Sequence, residues 1–289
     1  MAFQRTKALW RIGDEEVTLG IRTLLAGRIE IFRGPHHDRT DPYEAADTAR
    51  KVEESGADIV EINPGPRNLK RGLPSADHEL SALVPVLKKL MPFVARPISV
   101  VTPNAETARR AVELGASIIH DPSGLAFDKK LAPTVNESKA ALILGHMRGT
   151  PEQWARMEPL TRLSETVRVD LRASLIRARQ AGIEPRRIVL DAGLEHGKRS
   201  HENFTLLRSL GSLCPRGQGI QANLASKSFL LGSVRGDAGE RAASLAVAAT
   251  LALESGAHML TVEHPGSVRD FVAVVDRIYR EDEQADLAE

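Results

Sequence analysis

The sequence predicts an α/β fold, a (β/α)8 TIM barrel entered through a short N-terminal hairpin, and three observations carry that expectation. Short apolar runs alternate with amphipathic segments of helical length, the rhythm of parallel strands joined by crossover helices, and eight such pairs can be traced. A signature of helix, glycine, small or branched residue and strand recurs as ESGADIV around Gly56, ELGASII around Gly115, QAGIEPRRIVL around Gly182 and ESGAHML around Gly256. Glycine there suits the left-handed turn that stops a helix before the chain re-enters a sheet. Finally, six of the nine histidines, namely His36, His37, His120, His146, His196 and His264, fall with many carboxylates where a β-type run gives way to a loop. That is the end at which a β/α barrel keeps its chemistry.

The elements follow in order. LWRIGDEEVTL, Leu9 to Leu19, reads as a hairpin turning at Gly13-Asp14 and placed to plug the barrel floor, within an N-terminal portion spanning residues 1–26. The eight barrel strands are expected at Arg28 to Phe32, Asp58 to Ile62, Pro97 to Val101, Ser117 to His120, Ala141 to Gly145, Arg187 to Asp191, Gly219 to Asn223 and His258 to Val262. The helix GERAASLAVAATLALES, Gly239 to Ser255, is apolar on more than one face, as helices that pack on another subunit often are. Residues 281–289 form an acidic tail expected to fray. No linker divides the 289 residues, so one domain is expected, close to the about 250 residues of a typical barrel.

Composition narrows the function. A 42% hydrophobic content with a net charge of +1 describes a globular chain with no electrostatic case for nucleic acid or a membrane surface. No apolar run approaches the ~20 residues of a membrane span. The single cysteine, Cys214, precludes an internal disulfide, and a reducing cytoplasm is the simplest compartment. No GxGxxG opens a helix after the first strand, and no GxSxG occurs, so dinucleotide and serine-hydrolase readings drop away.

Three segments carry a family resemblance: VLDAGLEHGKRSHENFTLLRSL (Val189 to Leu210), LASKSFLLG (Leu224 to Gly232) and GHMRGTPEQW (Gly145 to Trp154). In order and spacing they resemble parts of dihydropteroate synthase, and the likeness extends from about Gly27 to Arg280. The resemblance implies a pterin-binding (β/α)8 barrel that makes folate precursors, displacing pyrophosphate from a hydroxymethyl-dihydropterin pyrophosphate with the amine of p-aminobenzoate. It also implies a transferase assembled as a homodimer through late helices, with Mg²⁺ at the pyrophosphate.

Carried over by position, Asp191 matches the carboxylate that pairs with the pterin's amide edge, with Ala192 where the family has proline. Lys227 matches the lysine that hydrogen-bonds pterin near the leaving group, and Met147 an apolar wall. His120 stands at the family's asparagine. The departures concern the other half of the pocket. Ser99-Val100-Val101-Thr102 lacks the second pterin carboxylate, replaced by Val101. Glu30 takes the place of an asparagine that helps hold Mg²⁺, and Thr261 and Glu263 replace the arginine and histidine that grip the anion. The second loop, Asn63 to Ser75, carries Arg67, Lys70 and Arg71, three cations that could close on a phosphate or carboxylate; a solvated basic loop is the plainer reading. Lys198 and Arg199 invite the same anion-binding reading. Glu30, Glu263 and His264, with the mouth histidines, Asp121 and Asp191, are candidates for a metal or new polar site.

The residues therefore favour a diverged synthase homologue with weak or no synthase activity that binds a pterin or related small anion. The alternatives are an atypical working dihydropteroate synthase and a different, metal-assisted chemistry on the Glu/His set.

Overall fold

The computed structural model describes residues 6–33, 38–65, 72–225, 228–232 and 238–278. Two antiparallel strands, β1 (Ala8–Ile12) and β2 (Glu15–Leu19), pair with Ile12 opposite Glu15, so Gly13-Asp14 is the two-residue loop. Next come β3 (Leu24–Glu30) and a two-residue ladder of β4 (Phe32–Arg33) with β5 (Asp38–Arg39). Seven further strands follow: β6 (Ile59–Asn63), β7 (Ile98–Val101), β8 (Ile118–Asp121), β9 (Ala141–Leu144), β10 (Ile188–Asp191), β11 (Gly219–Asn223) and β12 (Met259–Val262). β3 and β6 through β12 form a closed, all-parallel eight-stranded barrel in which β12 returns to β3.

The seven later strands lie within a residue of their predicted bounds. The first does not: it runs Leu24 to Glu30, where Arg28 to Phe32 is predicted. Leu24 and Leu25 pair with Met259 and Leu260 of the last strand, which draws the ladder toward the N-terminus. Phe32 leaves the barrel to pair with Arg39.

Burial follows the period-two alternation of a strand. Outward-facing Leu25, Val60, Ile62, Val100, Ile119, Leu142, Leu190 and Leu260 join the large core beneath the helices. Inward-facing Leu24, Ala26, Ile59, Ile118, Ala141, Val189 and Met259 form a second apolar layer at the N-terminal ends of the strands, closed from below by Trp10, Ile12 and Leu19 of the hairpin. Trp10 is fully buried, and its Nε1 donates to the Arg187 carbonyl at 3.3 Å. The hairpin is the expected floor plug.

The recurrent glycines stop four helices in one way. Gly56, Gly115, Gly182 and Gly256 all have φ between +91° and +107°. In each case the following residue's N–H reaches back five positions, as Ala57 to Val52, Ala116 to Ala111, Ile183 to Ala178 and Ala257 to Ala252. This six-to-one bond is the Schellman motif, and it delivers the chain straight into the next strand. No described helix is long and apolar enough to cross a membrane. The expected acidic tail lies outside the described residues.

Candidate functional site

One layer above the apolar floor, the same inward positions turn polar. Arg28 and Glu30 come from β3, Glu61 and Asn63 from β6, Ser99 from β7, His120 from β8, Asp191 from β10, Gln221 from β11 and Thr261 from β12. Arg28 Nε donates to Glu30 Oε1 at 2.8 Å, and its Nη1 reaches Glu61 Oε1 at 3.4 Å. Glu61 Oε2 lies 2.8 Å from His120 Nδ1 and accepts from Ser99 Oγ at 3.5 Å. His120 Nε2 is 3.3 Å from Asp191 Oδ2, an ion-pair distance without hydrogen-bond alignment. Asp191 accepts from the Gly193 N–H at 2.7 Å and from Gln221 Nε2 at 2.9 Å, while Thr261 Oγ1 donates to Gln221 Oε1 at 3.2 Å. The result is one buried chain of charge across the barrel.

Its protonation follows from its neighbours. Burial opposes a charged His120, but the carboxylates of Glu61 and Asp191 outweigh it and hold the imidazole up at about 9. Burial likewise opposes the charge on Glu61, and His120 and Arg28 bring it below the usual carboxylate range. Asp191 is likewise held below that range: burial works against it, and His120, the Gly193 N–H and Gln221 prevail. At neutral pH the strand-end cluster is therefore an imidazolium between two carboxylates.

Sequence reasoning found Asp191 and His120 and missed Glu61, Arg28 and Gln221. The signal for Glu61 was an acid inside IVEIN, a run with every residue buried. It lies one strand from Val101, the position read as the lost carboxylate. Met147 is half-buried just beyond β9.

Other candidates have structural work. Asp121 faces away from the barrel axis and accepts from Ser123 N at 2.8 Å and Ser123 Oγ at 2.7 Å, which folds the following loop. Lys198 is not a free cation for an anion: its buried Nζ donates to the carbonyls of Gly193 at 2.6 Å, His146 at 3.1 Å and His196 at 3.2 Å. Arg199 Nη2 donates to the Met157 carbonyl at 2.7 Å. His146 Nε2 pairs with Asp170 at 3.0 Å, and burial together with the Lys198 charge pulls its imidazole down to about 4. His196 stacks on Trp154. Gly193, with φ +65°, is required where it stands, because a Cβ there would lie 1.8 Å from the His146 carbonyl oxygen. Glu195 Oε1 accepts from Ser228 Oγ and Phe229 N, capping the helix Ser228–Leu231 that begins one residue after Lys227. Lys227 itself, Arg67, Lys70, Arg71, His36 and His37 lie outside the described residues.

Nor do the described residues fit a protein-held divalent cation. No group of three or more His, Cys, Asp or Glu among them is arranged to hold a metal ion. Glu30 is engaged by Arg28 and by Asn63 Nδ2 at 2.6 Å, and His264 is exposed.

A further buried acid, Glu79, lies on the helix Ala76–Leu90. Glu79 accepts from Thr102 Oγ1 at 2.6 Å and Asn104 Nδ2 at 2.9 Å, yet burial pushes its carboxyl up to about 7 from 4.5. Below 4.5 folded and unfolded chains both carry the proton. Between 4.5 and about 7 only the folded chain keeps it, so Glu79 lowers stability progressively as pH rises, by on the order of 3 kcal/mol at pH 8. Glu79→Gln should therefore raise the urea midpoint at pH 8 and leave it nearly unchanged at pH 4; an equal shift at both would rule out ionisation as the cause.

The same barrel recurs in known proteins. The family model for pterin binding enzymes matches residues 31–263. Dihydropteroate synthase of Mycobacterium leprae is 33% identical over 223 residues, covering 74% of this chain and 78% of its own, and that of Synechocystis is 29% identical over 236, covering 80% and 81%. Among solved structures, Burkholderia cenocepacia dihydropteroate synthase complexed with 7,8-dihydropteroate superposes with a TM-score of 0.84 at 26% identity, covering 96% of this chain and 99% of its own. The Xanthomonas albilineans enzyme with 4-aminobenzoic acid gives 0.83 at 25%, covering 94% and 98%. With the family model spanning most of the barrel and a relative one-third identical over 74% of the chain, the chain belongs to the dihydropteroate synthase family of pterin-binding enzymes.

Proposed function

We propose that this protein binds a pterin, or a small molecule of pterin shape, in the barrel mouth through Asp191, His120, Met147 and Lys227, and that it is a diverged homologue with weak or no synthase turnover. The observation that carries the reading is the Asp191 carboxylate, fully buried at a strand end and held ionised by His120, Gln221 and the Gly193 N–H. A flat, donor-rich heterocycle needs such an acceptor, because each polar edge left unpaired in a closed pocket costs about 1–3 kcal/mol. Related enzymes hold 7,8-dihydropteroate and 4-aminobenzoic acid in this fold.

Weak turnover follows from the leaving group. Expelling pyrophosphate requires stabilised negative charge, and losing one preorganised donor typically costs about 2.7–4 kcal/mol. Thr261 and Glu263 stand where the family's gripping cations would be, Thr261 bonded to Gln221. Arg67, Lys70 and Arg71 are the chain's candidates for closing on the anion. One observation favours a second reading, an atypical but working synthase: Glu61, on the strand next to that of Val101 and in register with Ser99, supplies a buried carboxylate that reaches His120.

Calorimetry with hydroxymethyl-dihydropterin pyrophosphate, with and without Mg²⁺, separates them. Micromolar binding that Lys227→Ala weakens, with no dihydropteroate formed on adding p-aminobenzoate, is the expected result. Steady product formation would establish the second reading, and no heat at millimolar ligand would overturn pterin binding.

A homodimer through the last two helices is part of the same proposal. Val247 and Leu251 of Ala238–Glu254, and Phe271, Val274 and Ile278 of Arg269–Ile278, are 41–63% exposed on adjacent helices. Sedimentation equilibrium should give twice the chain mass, and Val274→Asp should reduce it to one; a monomeric wild type would refute this assembly.

A further inference from the structure

We infer that Glu61 is a positioning residue for the ligand pocket: it fixes the His120 ring as a donor at both nitrogens, so that His120 and Asp191 together select a planar heterocycle presenting a hydrogen-bond acceptor beside an N–H. The inference rests on the pterin-type reading and names the edge that the site reads.

The geometry is specific. Glu61 and His120 are 0% and 1% exposed, and Glu61 Oε2 sits 2.8 Å from His120 Nδ1. An imidazole whose Nδ1 donates to a carboxylate has a bare Nε2 when neutral and an N–H there only when charged. Nε2 lies within 3.3 Å of Asp191 Oδ2, which favours the charged ring. Yet Nε2, though buried, has no hydrogen-bond alignment with that carboxylate, so the cluster holds one poorly paired donor beside it. A buried donor paired this poorly gains when an aligned acceptor reaches it. A ligand atom that accepts from Nε2 while its neighbour donates to Asp191 settles both groups. The pyrimidine edge of a pterin, with a bare ring nitrogen next to an exocyclic amino group, has that pattern.

The surroundings leave Glu61 in control. From β3, Arg28 approaches Glu61 and is itself bonded to Glu30; from β10 comes Asp191; from β7 and β11 come the neutral Ser99 and Gln221; Asp121, on the same strand as His120, faces the opposite side. An asparagine at position 120 would present either an acceptor or a donor. The imidazolium presents only donors, which is a narrower filter.

The experiment pairs calorimetric titration of wild type and Glu61→Gln with pterin, at pH 5.5 and 7.5, with NMR titration of ¹³C/¹⁵N-histidine-labelled protein. Wild type is expected to bind within about twofold at the two pH values, and its His120 to keep the imidazolium signature through pH 8. Glu61→Gln should bind like wild type at pH 5.5 and at least about tenfold more weakly at 7.5, with His120 titrating earlier, the loss expected for one charge-assisted hydrogen bond. A Glu61→Gln protein with wild-type affinity at both pH values, or with an unmoved His120 titration, overturns the inference. Absence of pterin binding by wild type defeats the pterin reading instead, and the NMR comparison still decides the role of Glu61. Should Glu61→Gln fail to fold, Glu61→Asp, which draws the carboxylate back by one methylene, takes its place under the same criteria.

Discussion

Asp191→Ala should abolish measurable pterin binding, weakening it by at least about 100-fold at neutral pH. Gly193 N–H bonds Oδ1 and Gln221 Nε2 bonds Oδ2, and a ligand's donor edge would take the remaining lone pair on each. Two charge-assisted hydrogen bonds to a ligand in a closed site are worth about 1.5–3 kcal/mol each, and every 1.4 kcal/mol is tenfold. The same change removes one of the two anions that keep His120 charged, so its titration should move down from about 9. Calorimetry on folded variant protein, verified by circular dichroism, is the check; affinity within about threefold of wild type would mean that the ligand sits elsewhere in the mouth.

The largest effect on stability is expected at the other end of the barrel. Trp10→Ala should lower unfolding free energy by about 3–5 kcal/mol, the range for emptying a buried aromatic position. Trp10 is 0% exposed, fills the floor against Ile12, Leu19 and the inward residues of the strands, and bonds the Arg187 carbonyl. Its neighbour Leu9 points the other way and is 46% exposed, so Leu9→Ala should cost no more than about 0.5 kcal/mol. Urea midpoints for the pair give the comparison. Similar small shifts for both would show that the hairpin is an appendage and not a plug.

Much of this architecture is legible in the chain because its cues are local. Four helix-stopping glycines, eight short β-type runs and a Gly-Asp turn each act within a few residues, and the structure realises all but the first run where they are read. The first barrel strand was misplaced because RIEIF looks more β-like than TLLAG. Its partners, Met259 and Ile59, come from distant parts of the sequence, and they decide the register. The site divides in the same way. Asp191 and His120 could be found because motifs surround them. Glu61, Arg28 and Gln221 could not: each acquires its role only when closure of the barrel sets it across from residues 30 to 59 positions away. Lys198 shows the converse error, since a lysine beside arginine after a glycine suggests anion binding until three carbonyls are found around it.

The hairpin floor has a kinetic consequence. A barrel sealed at one end has a single door, so a pterin, any partner molecule and any product must pass through the same opening, one after another. Order of arrival is then imposed by depth: whatever rests on Asp191 has to enter first and depart last, and a molecule lodged above it acts as a stopper. Slow exchange of a deep ligand, accelerated by loosening the loops of the mouth and indifferent to changes in the hairpin, is the behaviour such a vessel imposes.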